Sequence, residues 1–318
     1  MRVIHLLFTG GTISMQRDAA AGGNVPVHGG RDLVRLVPGV DRIAPLRIED
    51  WARMPAGHFD LERLWALRER VRVLMESGEV GGVVITHGTD ILEETAYLLD
   101  RTLDRRIPVV VTGAMRTSSD TEWDGPRNLG DAVTVAANRA SQGRGAMVVF
   151  AGQVFAGATA VKTHATDVDA FSAPHAGPLG GVEDGVVSFA SAPSLAAPPI
   201  TPVSLHARVA HVPMVVGDDG AVLDLLRPSH GGVVIEAFGS GNVPPGAVPA
   251  IGRWLAEGKP VVLASRCPWG RVTPVYAFDG GGARTTAMGA IPAGPRTPSQ
   301  ARMELTIALS AGVPYGSA

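Results

Sequence analysis

The chain has 318 residues, 45% hydrophobic and 18% charged, with a formal net charge of −2. That is enough apolar material for a core in one large or two medium domains, and it leaves no basic field to attract nucleic acid. The lone Cys267 excludes an intrachain disulfide and a cysteine-built metal site, and nine scattered histidines fall in no metal-ligand spacing, so neither metal nor other cofactor is expected.

Met1 to Phe8 is apolar but interrupted and ends without a cleavage site, so it reads as a first strand rather than a signal peptide. No apolar run approaches the length of a membrane span, and a cytoplasmic protein is the expectation. The strand runs into Thr9-Gly10-Gly11-Thr12-Ile13-Ser14. Paired glycines after a strand suggest backbone amides open to an anion, although neither a P-loop nor a dinucleotide fingerprint is present. Arg17 to Gly30, rich in Ala and Gly without periodicity, predicts a mobile loop over a site. Asp32 to Val37 predicts a short helix, Leu46 to Glu49 a strand, and Asp60 to Met75 an amphipathic helix with Leu64, Leu67, Val71 and Leu74 on its apolar side.

Val83 to Thr86 is a β-branched run suited to a strand buried on both faces. The turn His87-Gly88-Thr89-Asp90 follows, and then a helix from Leu92 with Glu93, Glu94, Asp100 and Arg101 opposite its apolar side. Asp90 is placed to cap that helix. Pro108 to Thr112 is a further strand, Gly113-Ala114-Met115-Arg116 its loop, Asp124 to Ala140 a helix and Ala146 to Phe150 a strand. Such alternation means an α/β fold whose parallel sheet is covered on both faces. Ala151 to Val161 predicts a hairpin returning Lys162 to the strand ends. The proline-rich stretch from Ala190 to Pro202 predicts a stiff connector. The domains expected are thus 1–190, a linker at 191–205, and a smaller α/β domain at 206–318. Strands at Val209–Val216, Gly232–Phe238 and Val261–Ser265, and helices near Val222, Val248 and Gln300, belong to the last.

The basic residues are nearly all arginine; only Lys162 and Lys259 are lysines. Lysine can lose its proton inside a protein and arginine effectively cannot, so Lys162, among small and polar residues, reads either as a working amine or as half of a salt bridge. Thr89-Asp90 likewise reads as a helix cap or as the floor of a site at the carboxyl end of a strand. Threonines in two strand-end turns, a carboxylate and this lysine together suit acyl transfer or amide hydrolysis: a hydroxyl attacks, a neutral amine takes its proton, and glycine-flanked amides hold the oxyanion.

The ordered motifs Thr9-Gly10-Gly11-Thr12-Ile13, Ile85-Thr86-His87-Gly88-Thr89-Asp90, Gly113-Ala114-Met115-Arg116, Asp124-Gly125-Pro126-Arg127-Asn128, Lys162-Thr163, Gly239-Ser240-Gly241-Asn242 and Gln300-Ala301-Arg302 resemble those of bacterial L-asparaginases across nearly the whole chain. The resemblance implies a larger flavodoxin-like domain, a smaller C-terminal domain and a homotetramer built as a dimer of dimers. The active sites would lie between the large domain of one subunit and the small domain of its neighbour. It also implies hydrolysis of L-asparagine to L-aspartate and ammonia. Thr12 would be the primary nucleophile, and Thr89, Asp90 and Lys162 a second, triad-like cluster. Gly11, Ala56, Gly57, Gly88, Asp90, Ala114 and Asn242 would line the substrate, Asp90 holding its α-amino group. Three departures stand out. The loop that normally carries an activating tyrosine reads Gly22-Gly23-Asn24-Val25-Pro26, and the chain's only tyrosines are Tyr97, Tyr276 and Tyr315. Ala56-Gly57 stands where a serine and a polar neighbour would hold the α-carboxylate. Ala277, beside Tyr276, stands where an acidic residue would be donated to the adjacent subunit. A lost charge-assisted hydrogen bond costs about 1.5–3 kcal/mol, roughly ten- to a hundredfold in binding. Two alternatives therefore accompany the asparaginase reading. One is the same machinery on D-asparagine, glutamine or a larger side-chain amide; the other is an amino-acid-binding homologue without turnover.

Overall fold

In a computed structural model the described residues are 2–192 and 198–317. The chain divides into two units, Met1–Pro199 and Ile200–Ala318. Residues 193–197, within the expected connector, lie outside the described residues.

The first unit opens with strand β1 (Val3–Gly10), a hairpin of β2 (Met15–Asp18) and β3 (Gly23–Pro26), helices α1 (Gly30–Arg35) and α2 (Val40–Ile43), and β4 (Leu46–Met54). Then α3 (Leu61–Glu76), β5 (Val80–Thr86), α4 (Leu92–Thr102), β6 (Val109–Thr112), α5 (Gly125–Ala137) and β7 (Ala146–Phe150) alternate, as the sequence pattern requires. Short strands close the unit: β8 (Gln153–Ala156), β9 (Val161–Lys162), β10 (Phe171–Ser172), β11 (Gly180–Glu183) and β12 (Val186–Phe189). Among the described residues the main sheet has eight strands, ordered β12-β11-β8-β7-β6-β5-β1-β4. From β4 to β7 the pairing is parallel. The parallel strands, counted along the chain, stand in the order 2-1-3-4-5, the flavodoxin-like doubly wound arrangement.

Both faces are buried, and alternate side chains of each strand serve opposite cores. Leu7, Val83, Ile85, Val111 and Val148 pack with Leu67 of α3 and Leu92, Ala96 and Leu99 of α4. Leu6, Phe8, Val84, Val110 and Val149 pack with Leu33 of α1, Val40 of α2 and Leu129 and Val133 of α5. Because α4 and α5 cover opposite faces while β5→β6 and β6→β7 step the same way across the sheet, the two crossovers have opposite hands. The crossover through α5 is thus an exception to the strong preference for one hand. Gly82 lets α5 lie close: a Cβ there would stand 2.8 Å from the Ala136 carbonyl oxygen.

Several expectations need correction. Arg17 to Gly30 holds the β2–β3 hairpin, because backbone pairing needs no apolar alternation; the Asp18 carboxylate accepts the turn amides of Ala20 and Ala21 at 2.7 and 2.9 Å. Its root is fastened where Val27 and His28 N–H groups donate to the Ser14 carbonyl at 2.8 and 3.0 Å. Strand β4 runs five residues past Glu49 despite its charges, which an edge strand tolerates. Asp90 does not cap α4, whose N-cap is Ile91 with no side-chain bond. Asp100, expected on the outer side, is buried: its carboxylate accepts the Ala146 N–H at 3.1 Å. Asp60 does cap α3, accepting from the Arg63 N–H at 2.8 Å.

The second unit has β13 (Val209–Pro213), α6 (Ala221–Leu226), β14 (Gly232–Ala237), α7 (Val248–Ala256), β15 (Val261–Ser265), α8 (Gly282–Ala287), β16 (Ile291–Pro292) and α9 (Pro298–Ala311). Its strands pair in parallel and in chain order. Leu223 of α6 and Trp254 of α7 cover one face, Ala301 and Leu305 of α9 the other. Helix α8, glycine-bounded and six residues long, carries too short a pattern to be legible in the sequence.

On α5, burial lifts the Asp131 carboxyl from its ordinary 3.8 to about 6, with Arg127 only a weak counterweight at 3.7 Å. The folded chain therefore holds this proton more tightly than the unfolded chain does. That contribution to stability is complete below the unfolded pKa and is lost as pH rises through about 6. Asp131→Asn should match the native chain in urea denaturation at about pH 4 and exceed it by about 1–3 kcal/mol at about pH 8. Greater stability of the native chain at the higher pH would contradict this account.

Candidate active site

Ligands of a doubly wound sheet bind where neighbouring strands send their connections to opposite faces. Here that point lies between β1 and β5, and both strands end in glycine turns. The Thr9 hydroxyl ties them, donating to the Thr86 carbonyl at 2.8 Å. After β1 the chain turns through Gly10 (φ 107°) and Gly11 (φ 85°) into Thr12, conformations that side chains rarely adopt. A Cβ on Gly11 would stand 2.5 Å from Gly88 Cα and 2.6 Å from Gly88 N. The two backbones are therefore in direct contact, and each of these glycines is followed by a threonine.

Two more segments press on the same point. A Cβ on Gly88 would meet Ala56 Cβ at 2.7 Å, and one on Gly113 would meet the His87 carbonyl oxygen at 2.4 Å and Thr89 Cγ2 at 3.3 Å. Gly11, Thr12, Ala56, Gly57, Gly88, Thr89, Asp90 and Ala114 thus gather at one sheet edge. Ala56 and Ala114 are buried, Thr12 half-buried and Gly57 exposed. Asn242 belongs to the second unit, where its Oδ1 accepts the Gly282 N–H at 3.1 Å and shapes the turn after β14.

Lys162 reaches this point from β9. Its Nζ lies 2.9 Å from Thr89 Oγ1 and 2.9 Å from Asp90 Oδ1. The Thr89 residue is 5% exposed and the Lys162 side chain 17%, whereas the Asp90 carboxylate is 77% exposed and open to a further cation. The lysine is ion-paired and also within hydrogen-bond reach of a hydroxyl, an arrangement that fits either reading of its sequence context. Among the described residues no group hydrogen-bonds to the Thr12 hydroxyl, and the N–H groups of Thr12 and Thr89 are taken by no other atom. His87, beneath the turn, is fully buried and held near a pKa of about 4 by that burial. It is neutral at physiological pH, one ring nitrogen 2.9 Å from the Gly88 carbonyl and the other 3.2 Å from the Thr95 hydroxyl of α4.

The sequence reading missed the residues that hold these turns. Asp124 accepts the N–H groups of Met115 and Arg116 at 3.0 and 2.9 Å, and Asn128 joins the Gly113 carbonyl to the Ala151 N–H, each at 3.0 Å. Their four-residue spacing on one helix face was the available signal. Glu93, expected on the outer side of α4, is turned inward and accepts the Lys162 N–H at 2.7 Å. Among the described residues no three His, Cys, Asp or Glu side chains cluster so as to hold a metal, and no helix is long and apolar enough to cross a membrane.

Comparison with known proteins places these features in a lineage. Residues 3–195 match the family described as "Asparaginase, N-terminal", and residues 208–315 match "Glutaminase/Asparaginase C-terminal domain". A probable L-asparaginase of Deinococcus radiodurans is 36% identical over 313 residues, covering 97% of this chain and 93% of that protein. L-asparaginase 2 of Escherichia coli is 32% identical over 316 residues, covering 96% and 88% respectively. The crystal structure of a probable cytoplasmic L-asparaginase from Campylobacter jejuni superposes with a TM-score of 0.85 at 30% identity, covering 98% of this chain and 95% of that one. The chain belongs to the asparaginase family.

Proposed function

We propose that this chain hydrolyses the side-chain amide of L-asparagine to L-aspartate and ammonia through a threonyl ester. The observation that carries the reading is the placement of Lys162 Nζ 2.9 Å from the Thr89 hydroxyl, where the Gly11–Gly88 contact also brings Thr12. The threonine oxygen attacks the amide carbon as its proton passes into the Thr89–Lys162–Asp90 cluster. The resulting oxyanion is held by the free N–H groups of Thr12 and Thr89. The carbon–nitrogen bond then breaks, and the lysine returns its proton to the departing ammonia. Water attacks the ester in turn, gives a proton to the lysine, and frees aspartate and the hydroxyl. Thr12 is the primary nucleophile in this reading, with Thr89, Asp90 and Lys162 as the proton-handling cluster. The exposed Asp90 carboxylate holds the substrate's ammonium. The sequence resemblance supports a homotetramer, and the Campylobacter jejuni relative, described as a probable cytoplasmic L-asparaginase, supports a cytoplasmic location.

A second reading of substrate has its own observation. Ala56 offers no hydroxyl, and beside it a Cβ on Gly57 would meet nothing within 4 Å. This leaves a weaker hold on a free α-carboxylate and room for a blocked one, so larger side-chain amides are acceptable substrates.

Ammonia release from L-asparagine should be measurable in the native chain and fall by roughly a hundredfold or more in Thr12→Val, Thr89→Val and Lys162→Met. Full activity in all three would remove the assigned chemistry. Tight aspartate binding by calorimetry without ammonia release would instead assign a binding protein.

Ala56→Ser should lower KM for free L-asparagine by roughly tenfold, the worth of one hydrogen bond to a charged group. It should leave KM for an amide with an esterified α-carboxylate unchanged. An equal effect on both substrates would place the α-carboxylate elsewhere.

A further inference from the structure

Lys162 sits on a two-residue strand that pairs, among the described residues, with β10 alone. Successive N–H groups on a strand point to opposite sides. The Thr163 N–H donates to Ala170 of the β10 side at 2.8 Å, so the Lys162 N–H points the other way, towards α4. There the half-buried Glu93 carboxylate accepts it at 2.7 Å. The approach to α4 is close because Gly157, ahead of β9, carries no Cβ; one there would stand 2.7 Å from the Ala96 carbonyl oxygen.

Building on the asparaginase reading, we propose that Glu93 is a positioning residue that clasps Lys162 by its main chain, so that one segment, residues 89–93, grips this lysine at both ends. Thr89 and Asp90 hold Nζ; Glu93 holds the peptide nitrogen. A lysine side chain has four rotatable bonds and loses much of its rotamer freedom when fixed. With the main chain pinned, the amine meets the hydroxyl without searching, and an error of about 1 Å at such a contact costs roughly a hundredfold in rate. Burial of Glu93 raises its carboxyl to about 7. The protonated and ionised forms both present an oxygen to the N–H, and so does glutamine.

The test compares Glu93→Ala and Glu93→Gln with the native chain and with Lys162→Met, measuring kcat and KM for ammonia release together with thermal unfolding. Glu93→Ala should lower kcat by roughly ten- to a hundredfold with KM within about twofold, and Glu93→Gln should restore kcat to within about threefold of native. Undiminished kcat in Glu93→Ala, equal losses in both variants, or a loss that tracks the unfolded fraction would overturn the clasp. A crystal structure of Glu93→Ala reads the same point without activity: Nζ should leave Thr89 Oγ1 by about 1 Å or more, and an unmoved Nζ would refute the proposal. The two readings fail differently. If the native chain turns over no amide, the functional assignment falls with what rests on it; if Lys162→Met is dead while Glu93→Ala runs at the native rate, only the clasp falls.

Discussion

Two peptide backbones in van der Waals contact, at Gly11 and Gly88, are the constraint on which the site depends. Neither position has room for a methyl group, since a Cβ on Gly11 would overlap Gly88 and one on Gly88 would overlap Ala56. The contact falls between β1 and β5 because the strand order puts the topological switch there. Everything chemical follows from that adjacency. Threonines after the two glycines come to one place, their N–H groups have no partner among the described residues, and a lysine from a distant strand meets the Thr89 hydroxyl. A polar site of this kind is affordable only because the strands beneath it bury Leu7, Val83, Ile85 and Val84 completely.

The cluster has a division of labour. Thr89 is buried and already bonded to an amine, while Thr12 is half-buried and its hydroxyl has no partner among the described residues. In the proposed reaction, proton handling therefore falls to Thr89 and the lysine bonded to it. The β2–β3 hairpin follows directly on the Thr12 turn, but its tip is Ala19-Ala20-Ala21-Gly22, without a titratable group other than Asp18, which is spent on the turn amides. In the proposed reaction the hairpin tip therefore supplies no side chain to activate Thr12.

Much of this was legible in the sequence, and for definite reasons. Buried parallel strands announce themselves as β-branched runs, as at Val83–Thr86 and Pro108–Thr112, and the glycine–threonine turns after β1 and β5 are short, recognisable motifs. Lys162 stood out because the chain otherwise uses arginine. What escaped was everything held by long-range side-chain-to-backbone bonds. Asp124 and Asn128 looked like an ordinary helix start, yet they hold the Gly113 loop. The β2–β3 hairpin left no trace because its pairing is made by backbone atoms. The hand of the α5 crossover is invisible to periodicity, which shows that a helix has an apolar face but not which side of the sheet that face will meet.

Helix α4 shows most clearly why hydrophobic periodicity misled. Glu93 and Asp100 are seven residues apart, two turns, so they share a side of the helix, and polar residues repeating at that interval normally mark the side facing water. Here both reach backbone donors instead. Glu93 takes the N–H of Lys162 in β9, and Asp100 takes the N–H of Ala146 where β7 begins. Burial raises the pKa of each carboxyl. Each bond thus carries a desolvation cost that an amide side chain would largely avoid. The same helix begins at the Thr89-Asp90 turn. A single helix and the turn that leads into it therefore touch the hydroxyl, the carboxylate beside it, the main chain of Lys162 and the first residue of a neighbouring strand.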